Sequence, residues 1–161
     1  MMTTPAWQPV PSLQATAYVI RRCDQNGIPL NNTKLQKLLY CCYGTVLAKW
    51  DLPLMDERPQ AWAHGPVFPA SLRALQFFGL DGFRARNAPD HTPDMEALPA
   101  EVLTWLDTVL AHFGRYTPLQ LCRWTLLRGS PWSRASRHGD ELYGDIRDVD
   151  TRRYFRERVL T

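Results

Sequence analysis

A long amphipathic segment between residues 33 and 50 constrains the fold of this chain more than any other feature. Its apolar residues recur three and four positions apart, so they share one face of a helix that would be roughly 27 Å long. This face must be buried, and Asn32 or Thr33 is placed to cap the first turn. We therefore predict a central core helix with these residues inward: Leu35, Leu38, Leu39, Cys42, Val46, Leu47 and Trp50.

The same helix carries a second, more polar face, whose role the spacing does not decide. One interpretation is a solvated surface on which the tyrosines bury their rings and keep their hydroxyls in water. The other is a binding site for a partner. The residues concerned are Lys34, Gln36, Lys37, Tyr40, Tyr43 and Lys49.

The charge of the chain is concentrated towards its C-terminal end. The 161 residues suit one domain with an ordinary core, and their formal net charge is only +3. Residues 1–120 carry ten basic and ten acidic side chains, whereas residues 121–161 carry nine arginines and six acids. Arginine pairs well with carboxylates and phosphates, so this end is suited to an acidic protein partner or to nucleic acid. Internal pairing with the interleaved acids is the alternative.

The composition argues against several classes of protein. The four cysteines show neither a CxxC pair nor the Cys/His spacing of a zinc site, so we expect no metal. They are expected to pack as small apolar residues in a reducing compartment. No segment is apolar over the roughly 18 residues of a membrane span, and the N-terminus lacks the features of a signal peptide. We expect a cytoplasmic protein without cofactors or membrane association.

Turn and cap residues divide the rest of the chain into a mainly α bundle. We predict one compact domain at residues 12–161, with about six to seven helices, and an extended arm at residues 1–11 that Trp7 anchors. A Gly-Pro turn favours a short β-hairpin around residues 60–68, and residues 80–97 are predicted to be a long loop. The residues predicted to cap or open helices are Ser12, Pro69, Pro99, Thr117, Ser130 and Asp150.

Motifs of known catalytic chemistry do not occur in this sequence. It has no glycine-rich phosphate loop, no HExxH and no GxSxG, and its four histidines are far apart, so we expect no enzyme. Trp62 and Trp132 are candidates to stack on a sugar or a base, but buried structural tryptophans are the commoner case. The arginines of the last predicted helix make it the candidate for DNA contact, which its acidic neighbours oppose.

Three blocks of the sequence, taken together, resemble a known family. They are NNTKLQKLLYCCYG, PLMDERPQAWAHGPVFP and YTPLQLCRWTLLRGSPWSRA, and they run through most of residues 31–135. In order and spacing they are similar to the Panacea domain, the SocA-like antitoxin domain that also occurs in phage-associated proteins of the GepA type. The chain departs from the family pattern at Leu126, where a histidine is usual, and at Leu72, where a tyrosine is usual. No extra DNA-binding domain is expected ahead of these blocks.

The resemblance implies a non-enzymatic antitoxin of a bacterial or prophage toxin–antitoxin pair, which neutralises a cognate protein toxin by direct binding. In one branch of the family the antitoxin also presents the toxin to a protease, so a cellular protease or its unfoldase is a second implied partner. A DNA-binding regulator that uses the arginine-rich last helix is the alternative. The residues expected to form or support the toxin interface are Lys34, Lys37, Tyr40, Trp62, His64, Gly65, Pro66 and Trp132. Each also has a structural explanation, as a core side chain or a turn residue.

Overall fold

The computed structural model describes residues 5–76 and 95–160, and within these ranges the chain is mainly α, as the sequence predicted. None of the helices in these ranges is long and apolar enough to cross a membrane. Most of the loop predicted at residues 80–97, and the predicted end of the third helix at Gly79, lie outside the described residues. The elements are α1 (Ser12–Gln25), α2 (Asn32–Trp50), β1 (Gln60–Trp62), β2 (Gly65–Val67), α3 (Pro69–Leu75), a 3-10 turn (Met95–Ala97), α4 (Ala100–Phe113), α5 (Pro118–Thr125), α6 (Pro131–Ala135) and α7 (Asp148–Arg158).

Helix α2 is the centre of the fold, as its apolar stripe predicted. It packs against α1, α4, α5 and α7, and every residue from Lys34 to Ala48 is buried. Each large apolar side chain of the stripe gains roughly 1.5–3 kcal/mol from burial, before the entropy of ordering is subtracted. Because neighbouring elements cover α2 on several sides, its polar face is buried from Lys34 to Tyr43, whereas Lys49 near the end of the helix is exposed. The interpretation of that face as a solvated surface is therefore wrong for all its residues except Lys49.

The predicted helix caps are confirmed at α5 and α6 and displaced at α2. Thr117 and Ser130 cap α5 and α6 through their side chains. The side chain of Asn31 caps α2, because its oxygen accepts a hydrogen bond of 2.8 Å from the backbone N–H three residues later. The predicted cap at Asn32 or Thr33 is wrong by one or two residues.

Ser12 and Asp150 do not cap α1 and α7, because both lie inside the first turn of their helix. The backbone N–H of Ser12 instead donates to a carboxylate oxygen of Asp56 at 3.0 Å. Helix α7 begins earlier than predicted, after Arg147, and both Asp148 and Asp150 lie in its first turn. Carboxylates at this end of a helix are favourable, since the helix dipole is positive there.

The N-terminal arm is attached to the loop that follows α2. Trp7 donates a hydrogen bond from Nε1 to the carbonyl of Pro53 at 3.0 Å, and its ring lies edge-on to Trp50 with 5.9 Å between centroids. Trp7 is thus an anchor, as predicted. Val10 is a second anchor that the sequence analysis missed: it is 4% exposed, and its N–H donates to the carbonyl of Leu54 at 3.0 Å.

The predicted β-hairpin is present and has an additional neighbour. Strands β1 and β2 pair antiparallel with Trp62 opposite Gly65. On the other edge of β1, the N–H of Ala61 donates to the carbonyl of Gly144 at 2.9 Å, and the N–H of Tyr143 donates to the carbonyl of Ala61 at 2.7 Å. The hairpin is therefore held to the segment between α6 and α7.

Candidate partner-binding site

Lys37 lies beneath the hairpin rather than at the surface. It is 2% exposed, and its Nζ donates a hydrogen bond to the carbonyl of Pro66 at 3.1 Å. Burial lowers the pKa of Lys37 to about 8, against a smaller opposite influence from the thiols of Cys122 and Cys41. Lys37 therefore fastens the hairpin to α2, so it supports a surface without reaching a partner itself.

Lys34 makes a second buried link, between α2 and the end of α4. It is 4% exposed, and its Nζ donates to the carbonyl of Gly114 at 2.6 Å. Burial lowers the pKa of this lysine too. The carbonyls at a helix C-terminus lack intrahelical partners and carry partial negative charge, so they suit an ammonium group. Both lysines bury their aliphatic stems and direct the charge at backbone, which the helical spacing did not reveal.

Tyr40 fills the core beside α7 and does not keep its hydroxyl in water. It is 1% exposed, and its ring lies 5.3 Å from that of Phe155 and 6.4 Å from that of Trp124. Its hydroxyl has no hydrogen-bond partner among the described residues, and burial raises its pKa well above the usual value. Tyr43 is buried as well, but its hydroxyl donates to Asp148 at 2.7 Å. Both rings therefore serve packing.

Gly65 and Pro66 do not form the turn that the sequence predicted: they begin strand β2, directly after a turn made by Ala63 and His64, and they are packed from below. Gly65 has a φ of +116°, a conformation that side chains disfavour. A Cβ at this position would lie 2.5 Å from Oγ1 of Thr125 and 2.8 Å from Cε of Lys37. Only glycine fits here, and the buried Pro66 presents its carbonyl to Lys37.

Trp132 and Trp62 join α6 to the hairpin. Trp132 is 7% exposed, and its Nε1 donates to the carbonyl of Trp62 at 2.7 Å. Trp62 is half-buried: its Nε1 donates to Oε1 of Gln60 at 3.0 Å, and its ring lies edge-on to Tyr143 at 5.4 Å. Trp132 therefore supports the hairpin from inside, whereas Trp62 reaches the surface.

The exposed end of the hairpin and its neighbouring tyrosine form one surface, which we call the hairpin surface. Its members are Trp62, Ala63, His64 and Tyr143. His64 is exposed and Tyr143 is 62% exposed, with a φ of +74°. A non-glycine residue in this conformation costs on the order of 1 kcal/mol or more and often marks a functional position. Tyr143 could not be recognised from the sequence, because no spacing rule connects it with a tryptophan so much earlier in the chain.

Among the described residues, Ser133 and His138 most resemble a catalytic pair. Their Oγ and Nδ1 atoms lie 2.6 Å apart, as in a nucleophile beside its base. Ser133 is only 1% exposed, so its hydroxyl is closed to a substrate. The N–H of His138 also donates to the carbonyl of Ser133 at 2.9 Å, and the pair therefore fastens the turn after α6. No group of three or more His, Cys, Asp or Glu side chains in residues 5–76 and 95–160 is placed to hold a metal ion.

Two of the four arginines of α7 make contacts with α2. Arg152 forms an ion pair with Asp51 at the C-terminal end of α2. The Nε of Arg156 donates to the carbonyl of Ala48 at 2.8 Å. Arg152 is half-buried, whereas Arg153, Arg156 and Arg158 are exposed. Part of the arginine excess of α7 therefore attaches this helix to the core, which reduces the positive surface available to DNA.

Comparison with known proteins gives a family match over this part of the molecule. The family model described as "Antitoxin SocA-like, Panacea domain" matches residues 35–133, a stretch that contains Lys37, the hairpin and Trp132. Antitoxin SocA of Caulobacter vibrioides is 29% identical over 118 residues, which are 65% of this chain and 59% of that relative. The chain thus spans less than two thirds of the relative's length. No solved structure gives a significant match.

Proposed function

Because this chain belongs to the family of SocA-like antitoxins with a Panacea domain, we propose that it is the antitoxin of a toxin–antitoxin pair and neutralises a protein toxin by direct binding. The observation that carries the proposal is the family match over residues 35–133. That range contains α2 from Leu35 onward and the whole hairpin. The protein is proposed to act in the cytoplasm, with the toxin as its main partner.

The hairpin surface is the proposed region of toxin contact. Tryptophan and tyrosine are the side chains that most often dominate the energy of protein interfaces, and here one of each is in contact at the surface. Lys37, Gly65 and Trp132 hold the hairpin in place from beneath. A surface that is already ordered before binding loses less entropy when the partner arrives.

The proposed mechanism is binding without catalysis, so neutralisation is expected to be stoichiometric. Toxin activity is measured while the antitoxin is increased at a fixed toxin concentration. A binding protein reaches full neutralisation at a fixed molar ratio near that of the complex. An enzyme that destroys the toxin reaches it at trace amounts after longer incubation, and that result would contradict the proposal.

The first experiment expresses the product of the adjacent gene alone and together with this chain. Growth arrest by the neighbour, relieved by this chain and accompanied by a complex that survives co-purification, supports the antitoxin function. A harmless neighbour that never co-purifies contradicts it. Binding of duplex DNA is measured in parallel at several salt concentrations, since affinity that falls steeply with salt is expected of a DNA-binding regulator.

A pair of variants tests the hairpin surface itself. Tyr143→Gly removes the exposed ring and suits the positive φ at this position, so the fold is expected to survive. We expect its Kd for the toxin to rise about tenfold or more, as for the loss of an interface hot spot. Leu119→Ala is the control, because Leu119 is 58% exposed and lies outside the hairpin surface. If the two variants bind the toxin with equal affinity, the toxin binds outside the hairpin surface.

Delivery of the bound toxin to a protease or its unfoldase is a separate part of the proposal, and it rests on the family resemblance. The half-life of the toxin is measured after protein synthesis is stopped, with and without this chain. A shorter half-life in its presence supports an adaptor role. A longer half-life contradicts the adaptor role and leaves neutralisation by binding intact.

A further inference from the structure

An aromatic groove lies between α4, α5 and the end of α7. Its volume is about 390 Å³, and the rings of Phe113 and Trp124 lie 5.5 Å apart along its wall. Exposed apolar grooves of this kind commonly receive a side chain of a partner. The groove is lined by His112, Phe113, Tyr116, Gln120, Leu121, Trp124, Arg158 and Val159.

An arginine-rich cleft of about 250 Å³ adjoins this groove, and Arg158 lines both. Four arginines and two carboxylates line the cleft, which leaves a formal excess of two positive charges. The four arginines are exposed, and none of them has a carboxylate within 4.0 Å among the described residues. The residues of the cleft are Leu127, Arg128, Gly129, Arg134, Asp150, Arg153, Tyr154, Glu157 and Arg158.

We propose that the groove and the cleft together bind an acidic segment of the toxin that carries a bulky apolar side chain. This inference rests on the proposed antitoxin function and names the partner chemistry that the function requires. The unpaired arginines take the carboxylates of the segment, because a guanidinium group pairs with a carboxylate through two parallel hydrogen bonds. The aromatic groove takes the apolar side chain. Leu127, which lines the cleft and is 51% exposed, adds apolar contact area there.

The composition of the cleft favours a protein segment over nucleic acid. Asp150 and Glu157 lie among the arginines and repel a phosphate backbone, whose charge is uniformly negative. A protein segment avoids this repulsion, since it can place a basic or neutral residue beside these two acids. An apolar side chain next to the carboxylates of the segment fills the neighbouring groove.

Helix α6 contributes one residue to the support of the hairpin and one to the cleft. Trp132 of this short helix donates to the carbonyl of Trp62 in the hairpin. Two residues further on, Arg134 lines the cleft. A stable protein interface covers on the order of 800 Å² per partner, so the toxin is expected to contact more of the molecule than the cleft.

The test compares two arginines that lie three residues apart. Arg134→Glu reverses a charge inside the cleft, whereas Arg137→Glu makes the same change at an exposed side chain outside it. Among residues 5–76 and 95–160, Arg137 pairs only with the exposed Glu141, so its replacement is expected to leave the fold intact. We expect Arg134→Glu to raise the Kd for the adjacent gene's product at least tenfold and Arg137→Glu to change it less than twofold. Leu127→Ala is expected to raise it about threefold.

Each outcome separates this inference from the function on which it rests. If the wild-type chain does not bind the neighbour's product, the proposed function fails and this inference fails with it. If the wild type binds and both charge reversals bind equally well, the inference is wrong and the antitoxin function stands. DNA affinity that only Arg134→Glu abolishes would assign the cleft to nucleic acid and overturn the inference. Recovery of Arg134→Glu binding by a toxin variant with one carboxylate changed to lysine would establish the contact.

Discussion

The ring of Phe155 occupies the space that a side chain on residue 44 would need. A Cβ built on Gly44 would lie 2.3 Å from Cε2 and 2.4 Å from Cζ of that ring, and Phe155 is 0% exposed. The missing side chain lets α7 approach α2 closely. It also brings Phe155 to 5.3 Å from the ring of Tyr40.

Gly44→Ala is therefore expected to destabilise the protein, even though alanine favours helices more than glycine does. Overfilling a packed core costs about 1–3 kcal/mol, which exceeds the helical gain of about 1 kcal/mol. The free energy of unfolding in urea measures the effect. Gly144→Ala is the matched control, because a Cβ there meets nothing within 4 Å. If the unfolding free energy falls no more for Gly44→Ala than for Gly144→Ala, the close packing of Phe155 against Gly44 is contradicted.

Gly65→Ala is expected to cost more than Gly129→Ala. Both glycines have positive φ, of +116° and +83°, so alanine strains the backbone at each. At Gly129 a Cβ meets nothing within 4 Å, whereas at Gly65 it collides with Thr125 and Lys37. We expect urea unfolding to show an additional loss of about 1–3 kcal/mol at Gly65. Equal losses of unfolding free energy would mean that the side chains beneath the hairpin move to accommodate the added methyl group.

Lys37→Met is expected to remove a pH dependence from stability. Burial lowers the native pKa of Lys37 from 10.5 to about 8. Below pH 8 the ammonium is charged in both the folded and the unfolded chain, so the folded protein bears the full cost of burying that charge. Between pH 8 and 10.5 the unfolded chain binds more protons, so this group makes the free energy of unfolding rise with pH. The rise is on the order of 3 kcal/mol at about 1.4 kcal/mol per pH unit.

The measurement for Lys37 is the difference in unfolding free energy between the wild type and Lys37→Met at pH 7, 8, 9 and 10. Methionine has a similar length and no charge, so packing is largely retained. The titrating cysteines and tyrosines are present in both proteins, and their contributions mostly cancel in the difference. Parallel pH profiles would show that Lys37 titrates near its ordinary value.

Trp132→Phe is expected to weaken both stability and toxin binding, whereas Trp7→Phe weakens only stability. Each change removes one indole N–H that donates to a backbone carbonyl, at 2.7 Å for Trp132 and 3.0 Å for Trp7. The loss is about 1–2 kcal/mol in either case. Only Trp132 supports the hairpin, so only its replacement is expected to raise the Kd for the toxin. Equal effects on Kd would contradict a role of the hairpin in binding.

The sequence was most informative where the structure is local. The apolar spacing of residues 33–50 identified the central helix, and the side chains of Thr117 and Ser130 identified two helix starts. A helix of this length needs a buried stripe, and a capping side chain satisfies backbone groups a few residues away. Both effects act over short distances along the chain, which is why they can be recognised without the fold.

The candidate site was recognisable only in part. Similarity in three sequence blocks pointed to the hairpin, and Gly65 and Pro66 indicated its position, although the turn itself is formed by Ala63 and His64. The exposure of the individual side chains did not follow from this, since Lys34 and Lys37 are buried while Tyr143 reaches the surface. Periodicity shows which residues share a face, but not how many neighbours cover that face.

What the sequence determined by itself is the set of helices, the hairpin and the family, because spacing, caps and motifs are properties of neighbouring residues. What only the tertiary structure decided is which polar groups are buried and which distant residues meet. Lys37 binds Pro66, and Phe155 packs on Gly44, because α2 is covered on several sides by elements from the whole chain. Such contacts depend on the path of the chain in space, and that path is set by the sum of many weak packing interactions.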